Sequence, residues 1–237
     1  MKNKIYYENF KDAIERNRKK IPAVHKKLKA AGVQYVMSSW IDLHGIPKTK
    51  PVPMSDFEPL CLGKGPQFAV HSISFVPELT PADSDQIMLP DLDSVYVCPW
   101  DKTMAIIFAD LYWEDKPYNV CPRQALKRAM QKAQDSGYKG MCGIEPEFIA
   151  MKYGEDGKPV KAIDSDPING IRPRRQAFGY DVEYSLDSMH FLKELIDILE
   201  ELGWNLHDVV AEGCLLYTSD ADDDTPCVDL GGRRIIK

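Results

Sequence analysis

The sequence predicts an α+β fold, with a leading helix, a small and mostly antiparallel β unit, and then a segment where helices and strands alternate. Three observations support this prediction. Residues 9–31 place apolar side chains at helical spacing among many lysines and arginines. Several short runs between residues 33 and 112 have the alternating pattern of strands. After residue 114 a helix followed by a strand occurs twice, which is typical of α/β domains.

The first predicted helix covers residues 9–31. Pro22 is expected to break or kink it, because a proline inside a helix removes one backbone hydrogen bond. Gly32 is expected to end it. The basic face of this helix could bind anions, although a solvated helix face is the favoured interpretation.

The β unit begins with a predicted strand over residues 33–41, whose apolar residues alternate as Val33, Tyr35 and Met37. A turn over residues 42–45 joins it to a strand through residues 50–53, where two prolines indicate a sheet edge. Further strands are predicted over residues 66–76, 92–98 and 104–112.

The second half begins with a predicted helix from Pro122 to residue 133, since proline is favoured at the first helical position. Gly137 and Gly140 are expected to end that helix. The elements that follow are a strand over 141–151, a hairpin-like turn over 154–157, an amphipathic helix over 186–202 and a strand over 204–211. Residues 158–180 are expected to be irregular.

Composition excludes several classes of protein. The 237 residues carry 36 acidic and 30 basic side chains, a net charge of -6, so no nucleic-acid-binding face is expected. The longest apolar stretch is far too short to span a bilayer, and the first residues lack the apolar core of a signal peptide. The six cysteines form no CxxC pair. These features predict a cytoplasmic protein with reduced cysteines.

The most informative residues for chemistry are Glu145 and Glu147. If they lie on a strand, both carboxylates project from the same face, and Ile144 and Phe148 anchor the opposite face in the core. Two close carboxylates repel each other unless a cation lies beside them, and hard oxygen ligands favour Mg²⁺ or Mn²⁺. From spacing alone, two solvated glutamates are the favoured interpretation.

The order of several motifs resembles the glutamine synthetase superfamily over nearly all of the first 213 residues. The most specific match is the run from Gly143 to Phe148, which has the family pattern G-x-E-x-E-F. The other matching landmarks are Asp42 to Gly45, Lys50 to Pro53, Asp85, Leu89 to Asp91, Pro99-Trp100, Pro122-Arg123 and Ser185 to Gly213. Cys121 departs from the pattern, because the family has an aspartate before Pro122.

This resemblance implies an N-terminal β-grasp domain followed by a catalytic α/β domain with a curved antiparallel sheet, of which this chain would hold the first part. The expected divisions are a helical segment over residues 1–32, the β-grasp domain over 33–112, the start of the catalytic domain over 113–213, and a tail over 214–237. The full-length proteins would form ring-shaped homo-oligomers, expected to be dodecamers. Their active sites lie between the N-terminal domain of one subunit and the catalytic domain of its neighbour.

The resemblance also implies a reaction, the ATP-dependent amidation of the γ-carboxylate of glutamate through γ-glutamyl phosphate. Phosphoryl transfer of this kind needs metals to neutralise charge. By position, Glu145 would hold the nucleotide-side metal, and Glu147 and Glu212 the substrate-side metal. The expected cofactors are two Mg²⁺ or Mn²⁺ ions per site, and the expected partners are glutamate, ATP and ammonia or a small amine, with no nucleic acid or membrane. The residues of the ATP site are not assigned.

One departure concerns the amine. Classical bacterial members carry an aspartate that helps bind ammonium in a segment resembling F-D-G-S-S. The corresponding residues here run from Phe68 to Ser72, with Ala69 at the aspartate position and Ser72 as a candidate substrate-binding residue. Ammonia is the first expectation for the substrate. The alternatives are methylamine or another amine, as in glutamate–methylamine ligases, and a non-catalytic structural relative.

The last residues, from Cys214, differ from the rest of the chain in their sequence pattern. They show neither helical nor strand periodicity and resemble the translation of an adapter used to prepare sequencing libraries. The later family landmarks, including the remaining metal ligands and the substrate-binding arginines, are missing. The expectation is a foreign tail over residues 214–237 on a catalytically inactive fragment that exposes apolar surface.

Overall fold

The computed structural model describes residues 7–69, 79–140, 142–148, 151–161, 180 and 182–209. The chain divides into two compact units, Met1–Gly140 and Met141–Lys237. Its helices are α1 (Phe10–Ala30), α2 (Phe57–Cys61), α3 (Pro122–Asp135) and α4 (Val182–Leu202). Its strands are β1 (Tyr35–Ile41), β2 (Pro47–Pro53), β3 (Gln67–Phe68), β4 (Gln86–Val97), β5 (Met104–Trp113), β6 (Lys116–Pro117), β7 (Met151–Tyr153) and β8 (Pro159–Lys161).

Helix α1 confirms the first predicted helix. The side chain of Asn9 caps it by accepting a hydrogen bond from the backbone N–H of Asp12 at 3.0 Å, and Gly32 follows its end with φ +83°. The helix continues through Pro22, so the predicted break is wrong. Pro22 is exposed, and the buried side chains on both sides of it, Asn17 and Leu28 among them, hold the helix against the sheet.

The first unit is built on one sheet with the strand order β2-β1-β5-β4-β3, and β6 pairs with β5. Strands β1 and β5 are parallel and the other pairs are antiparallel, which confirms the expected mostly antiparallel sheet. Strand β2 lies at an edge, as its prolines predict. The more specific β-grasp assignment and the domain bounds stay predictions.

The prediction of which β1 residues face the core is wrong. Val36 and Trp40 are buried, whereas Tyr35 is half exposed and Met37 only partly covered. The buried residues of β1 also include Ser38, a polar residue that hides the true alternation from a reading of hydrophobicity alone. Side chains two apart share a face, so the inward face of β1 runs through even-numbered residues.

The sheet curls until its two edge strands approach each other. The ammonium of Lys50 on β2 donates a hydrogen bond to the carbonyl of Gln67 on β3. Nearby, the indole of Trp40 stacks on the ring of Phe68, with ring centroids 4.3 Å apart. The first contact joins strands separated by three others in the sheet, and the second joins β1 to β3, which are separated by two. An apolar cluster that includes Met88, Leu111 and Tyr118 fills the space between them.

In the second unit, β7 and β8 form an antiparallel hairpin around the predicted turn at residues 154–157, and α4 covers the predicted amphipathic helix. Residues 204–209 form no strand, so this part of the predicted strand over 204–211 is wrong. Residues 159–161 form β8, so the expectation of an irregular stretch over 158–180 is wrong there. Residues 210–211 and, apart from residue 180, all residues from 162 to 181 lie outside the described residues. In the part of the chain that the structure describes, no helix is long and apolar enough to cross a membrane.

Asn17 offers a test of how α1 is held. Its amide Nδ2 donates to the carbonyls of Cys61 at 3.0 Å and Pro90 at 2.9 Å, and the residue is fully buried. Substituting Asn17→Ala removes two hydrogen bonds in a buried site, so we expect a loss of about 2–3 kcal/mol in the free energy of unfolding. Urea denaturation of the 237-residue chain measures this loss.

The matched control is Lys19→Ala on the exposed face of the same helix, which should change the stability by less than about 0.5 kcal/mol. Equal stabilities of the two variants would show that the buried amide does not hold α1 to the rest of the unit.

Candidate functional site

Glu145 and Glu147 lie in a segment that the structure describes over residues 142–148. This segment is not a strand, except for one isolated bridge at Glu145, so the predicted strand over 141–151 is wrong for these residues. Pro146 supplies a physical reason, because it lacks the N–H that a strand would use for pairing. Residues 141, 149 and 150 lie outside the described residues, and β7 begins at Met151.

The prediction that Ile144 and Phe148 anchor this segment in a core is also wrong. Ile144 is 77% exposed and Phe148 is 53% exposed. The ring of Phe148 meets that of Phe191 on α4 edge to face, with centroids 6.0 Å apart. That single aromatic contact orients one end of the segment without burying it.

The two glutamates can offer oxygen atoms to a cation. Glu145 is exposed and Glu147 is partly covered, and their carboxylates are the hard donors that Mg²⁺ and Mn²⁺ prefer. Their chemistry therefore fits the implied metals. The third implied ligand, Glu212, lies outside the described residues. Among the residues that the structure does describe, no group of three or more His, Cys, Asp or Glu side chains could hold a metal.

The segment that resembles the ammonium-binding region begins at the curled edge of the first unit. A cavity of about 520 Å³ lies there, lined by Trp40, Lys48, Thr49, Lys50, Gln67, Phe68, Ala69 and Asp85. Ala69 places a methyl group in its wall, and the only carboxylate among these lining residues belongs to Asp85. The remaining residues of the segment, His71 and the candidate Ser72 included, lie outside the described residues.

A cluster of charged side chains in the first unit was not predicted to interact. Asp91 on β4 and Asp110 on β5 are 8% and 2% exposed. Arg123 on α3 pairs with Asp91 and, through Nε at 3.0 Å, with Asp110. Lys127, one turn later, pairs with Asp110 and lies 3.5 Å from Asp91. These four residues, called the charge cluster below, fix α3 against the sheet.

The charge cluster explains two landmarks of the resemblance. Asp91 ends one landmark and Arg123 ends another, and the fold brings them into contact. The sequence contained a further signal, because Asp110 interrupts the apolar strand β5. A charge inside a buried strand requires a partner of opposite charge.

The electrostatics of the cluster favour ionised Asp91. Burial alone would raise the pKa of Asp91, but the nearby charges of Lys127 and Arg123 outweigh burial and lower its pKa to about 2. By contrast, burial raises the pKa of the Cys61 thiol to about 12. Cys61, Cys98 and Cys121 are buried and free, so they are poor nucleophiles, and Cys142 is free and exposed.

Comparison with known proteins confirms the resemblance. Residues 119–214 match the family model for the catalytic domain of glutamine synthetase. The glutamine synthetase of Rhizobium meliloti is 31% identical over 173 residues, which is 73% of this chain and 37% of that protein. The glutamate–methylamine ligase of Methyloversatilis universalis is 27% identical over 184 residues, which is 77% of this chain and 39% of that protein.

Solved structures give the same result for the fold. The chain matches the GmaS/ADP complex in conformation 1 with a TM-score of 0.66 at 22% identity, over 80% of this chain and 41% of that one. These matches identify the chain as a relative of the glutamine synthetase superfamily. It spans about 40% of the length of these relatives.

The charge cluster leads to a prediction about pH. The pKa of Asp91 in the folded chain, about 2, is below the ordinary value of 3.8. Its contribution to stability is therefore complete above about pH 4 and disappears as the pH falls through 2. We expect Asp91→Asn to lower the free energy of unfolding by about 2 kcal/mol at pH 7, and this difference should vanish near pH 2.

Denaturant titrations of both chains between pH 7 and pH 2 measure this convergence. Asp93→Asn is the control, because Asp93 pairs with Lys20 at an exposed site. Its effect should stay below about 1 kcal/mol at every pH. A constant difference between wild type and Asp91→Asn across the titration would contradict the proposed role of the charge on Asp91.

Proposed function

We propose that the longer protein to which this chain corresponds is an ATP-dependent ligase that joins an amine to the γ-carboxylate of glutamate. One observation carries the proposal, namely the match of residues 119–214 to the catalytic domain of glutamine synthetase, with Glu145 and Glu147 inside the matched segment. Ammonia is the proposed amine and γ-glutamyl phosphate the proposed intermediate. The protein would then be a glutamine synthetase, acting in the cytoplasm as a ring-shaped homo-oligomer.

The proposed metal-binding roles are assigned to three carboxylates. Glu145 would hold the metal on the nucleotide side, and Glu147 with Glu212 would hold the metal on the substrate side. Bound Mg²⁺ or Mn²⁺ would neutralise the phosphate oxygens during transfer from ATP. The protein's part is to place the carboxylates. The exposed position of Glu145 and the partly covered position of Glu147 leave both accessible within the described residues.

The first unit would contribute the amine side of the site. Its topology supports the proposed β-grasp assignment, because a β1–β2 hairpin is followed by strands that place β1 and β5 side by side and parallel. The cavity beside Ala69 lies at the curled edge of this sheet. Under the proposal, this edge would face the catalytic domain of a neighbouring subunit.

Methylamine is the second candidate substrate, and two observations favour it. Ala69 places a methyl group in the cavity wall, at the position where the classical pattern has a carboxylate to attract ammonium. In addition, a glutamate–methylamine ligase and a γ-glutamylanilide synthase from Acinetobacter are among the related proteins, at 27% and 24% identity.

The deciding experiment measures phosphate release by the complete protein with glutamate, ATP and either ammonium or methylamine. If ammonia is the substrate, kcat/KM for ammonium exceeds that for methylamine. Equal or faster turnover with methylamine would replace the first proposal by the second. Absence of amine-dependent phosphate release with either would contradict the ligase assignment. The 237-residue chain alone should release no phosphate, because it holds only three of the implied metal ligands.

A variant of Glu147 tests the metal role. In the complete protein, Glu147→Gln keeps the size of the side chain but removes its charge, so we expect kcat/KM to fall by at least about 100-fold. Higher Mn²⁺ concentration should recover part of the loss. Glu155→Gln in the exposed hairpin turn is the control and should retain full activity. Unchanged activity in Glu147→Gln would remove this residue from the metal site.

A variant of Ala69 tests the amine side. Ala69→Asp introduces a carboxylate at the cavity wall, and we expect it to raise the ratio of kcat/KM for ammonium over methylamine by about tenfold, equivalent to about 1.4 kcal/mol. Ala69→Asn, which has nearly the same shape without the charge, is the control and should not change the ratio in that direction. Equal ratios in the two variants would exclude an electrostatic role for position 69.

A further inference from the structure

Ala69 and Asp85 lie opposite each other at the curled edge of the first unit. Strands β3 and β4 are antiparallel, and their register pairs Phe68 with Gln86. The same register, extended by one residue, places Ala69 opposite Asp85, and both residues line the same cavity. Opposite residues of an antiparallel pair have Cβ atoms about 4.5–5.5 Å apart on one face. A carboxylate at position 85 can therefore reach the space that a carboxylate at position 69 would occupy.

The carboxylate of Asp85 is accessible, and the backbone on both sides of it is anchored. Asp85 is exposed, and in the part of the chain that the structure describes its side chain makes no ion pair or hydrogen bond. The carbonyl of Ser84 accepts a hydrogen bond from the indole Nε1 of Trp113 at 3.0 Å, and Gln86 is fully buried. Asp85 can therefore bind a cation without losing a partner and at little cost in ordering the chain.

The two lysines of the cavity are already bound to acceptors. Lys48 Nζ lies 3.5 Å from the carboxylate of Asp42, and Lys50 donates a hydrogen bond to the carbonyl of Gln67. Asp42 and Asp85 together balance the charges of these two lysines. A small cation that approaches Asp85 therefore meets no net positive charge from these four side chains.

The rest of the wall suits an amine with a small alkyl group or none. Trp40 stacks on Phe68 with ring centroids 4.3 Å apart, and both rings line the cavity together with the methyl group of Ala69. Aromatic faces attract organic cations, and apolar walls accept a methyl substituent without loss. Asp85 is the carboxylate among the lining residues, so it is the group that would select for charge.

We propose that Asp85 holds the ammonium group of the amine substrate and thereby replaces the carboxylate that is missing at position 69. The inference rests on the proposed ligase function and adds a specificity-determining residue to it. It also specifies the charge of the bound ligand. Alkylammonium groups such as that of lysine have a pKa of about 10.4, so the amine reaches Asp85 as a cation at pH 7.

The first test is the amine kinetics of the complete protein. Asp85→Asn keeps the shape of the side chain and removes its charge, so we expect KM for ammonium and for methylammonium each to rise about tenfold, while KM for ATP stays unchanged. The control is Asp56→Asn, an exposed aspartate of the same unit whose side chain caps no helix, and it should keep the wild-type KM values. An unchanged amine KM in Asp85→Asn would overturn the proposal.

The second test moves the carboxylate across the strand pair. In Ala69→Asp/Asp85→Asn the charge returns at the opposite position, and we expect KM for ammonium to fall back to within about threefold of the wild-type value. Ala69→Asn/Asp85→Asn has nearly the same shape without the charge, and its KM should stay raised. Equal KM values in the two double variants would also overturn the proposal, because the charge at this strand pair would then have no effect on the amine.

The third test measures binding without turnover. The complete protein is dialysed to equilibrium against radiolabelled methylammonium chloride at constant ionic strength, and unlabelled ammonium chloride serves as the competitor. We expect saturable binding to the wild type and to Asp56→Asn, with about tenfold weaker binding to Asp85→Asn.

This measurement separates the site from the reaction. A wild-type protein that binds methylammonium through Asp85 but releases no phosphate would contradict the ligase proposal and support the site. Absence of saturable binding to the wild type, or equal binding to Asp85→Asn, would overturn the assignment of Asp85 even if the ligase reaction is observed.

Discussion

The first unit depends on the neutralisation of two buried aspartates. Asp91 and Asp110 lie on adjacent strands of the sheet and are almost completely covered. An isolated carboxylate in that position would cost several kcal/mol, so the fold requires cations that reach it from another element. Arg123 and Lys127 are four residues apart and therefore share one face of α3. Pro122 begins that helix, which places both cations within its first two turns.

The charge cluster joins the segment that matches the family model to the residues that precede it. The matched segment begins at residue 119, yet its first helix packs on the sheet of the preceding residues. The division into compact units accordingly falls at residue 140 rather than before α3. A helix that belongs to the catalytic segment by sequence is thus part of the first unit by packing, and ion pairs rather than apolar contacts determine this.

Much of the fold could be predicted from sequence because local chemistry specified it. Asn9 and Gly32 mark the ends of α1. Asp42 closes the β1–β2 turn by accepting hydrogen bonds from the backbone N–H groups of His44 and Ile46, both at 2.9 Å. The prolines of β2 mark an edge of the sheet. The errors occurred where a serine or a proline interrupts an apolar pattern. Ser38 hides the phase of β1, and Pro146 prevents the strand that the apolar residues around it suggest.

The candidate site, like the fold, was predicted from the sequence only in part. The resemblance to the family made Glu145 and Glu147 candidate ligands, but residue types and spacing do not reveal the charge cluster, whose four members come from two strands and a helix. The cavity beside Ala69 was equally hidden, since it exists only because the curl of the sheet brings β2 and β3 together. Short motifs carry the candidate ligands, and long-range packing decides what surrounds them.

The two glutamates alone do not form a complete metal site. A divalent cation with hard oxygen ligands needs about six donor atoms, and two glutamates supply at most four. Glu145 and Glu147 are separated only by Pro146, in a segment held near one end by the contact between Phe148 and Phe191. Such a segment presents donors but does not enclose a cation. Metal binding must therefore depend on ligands from elsewhere.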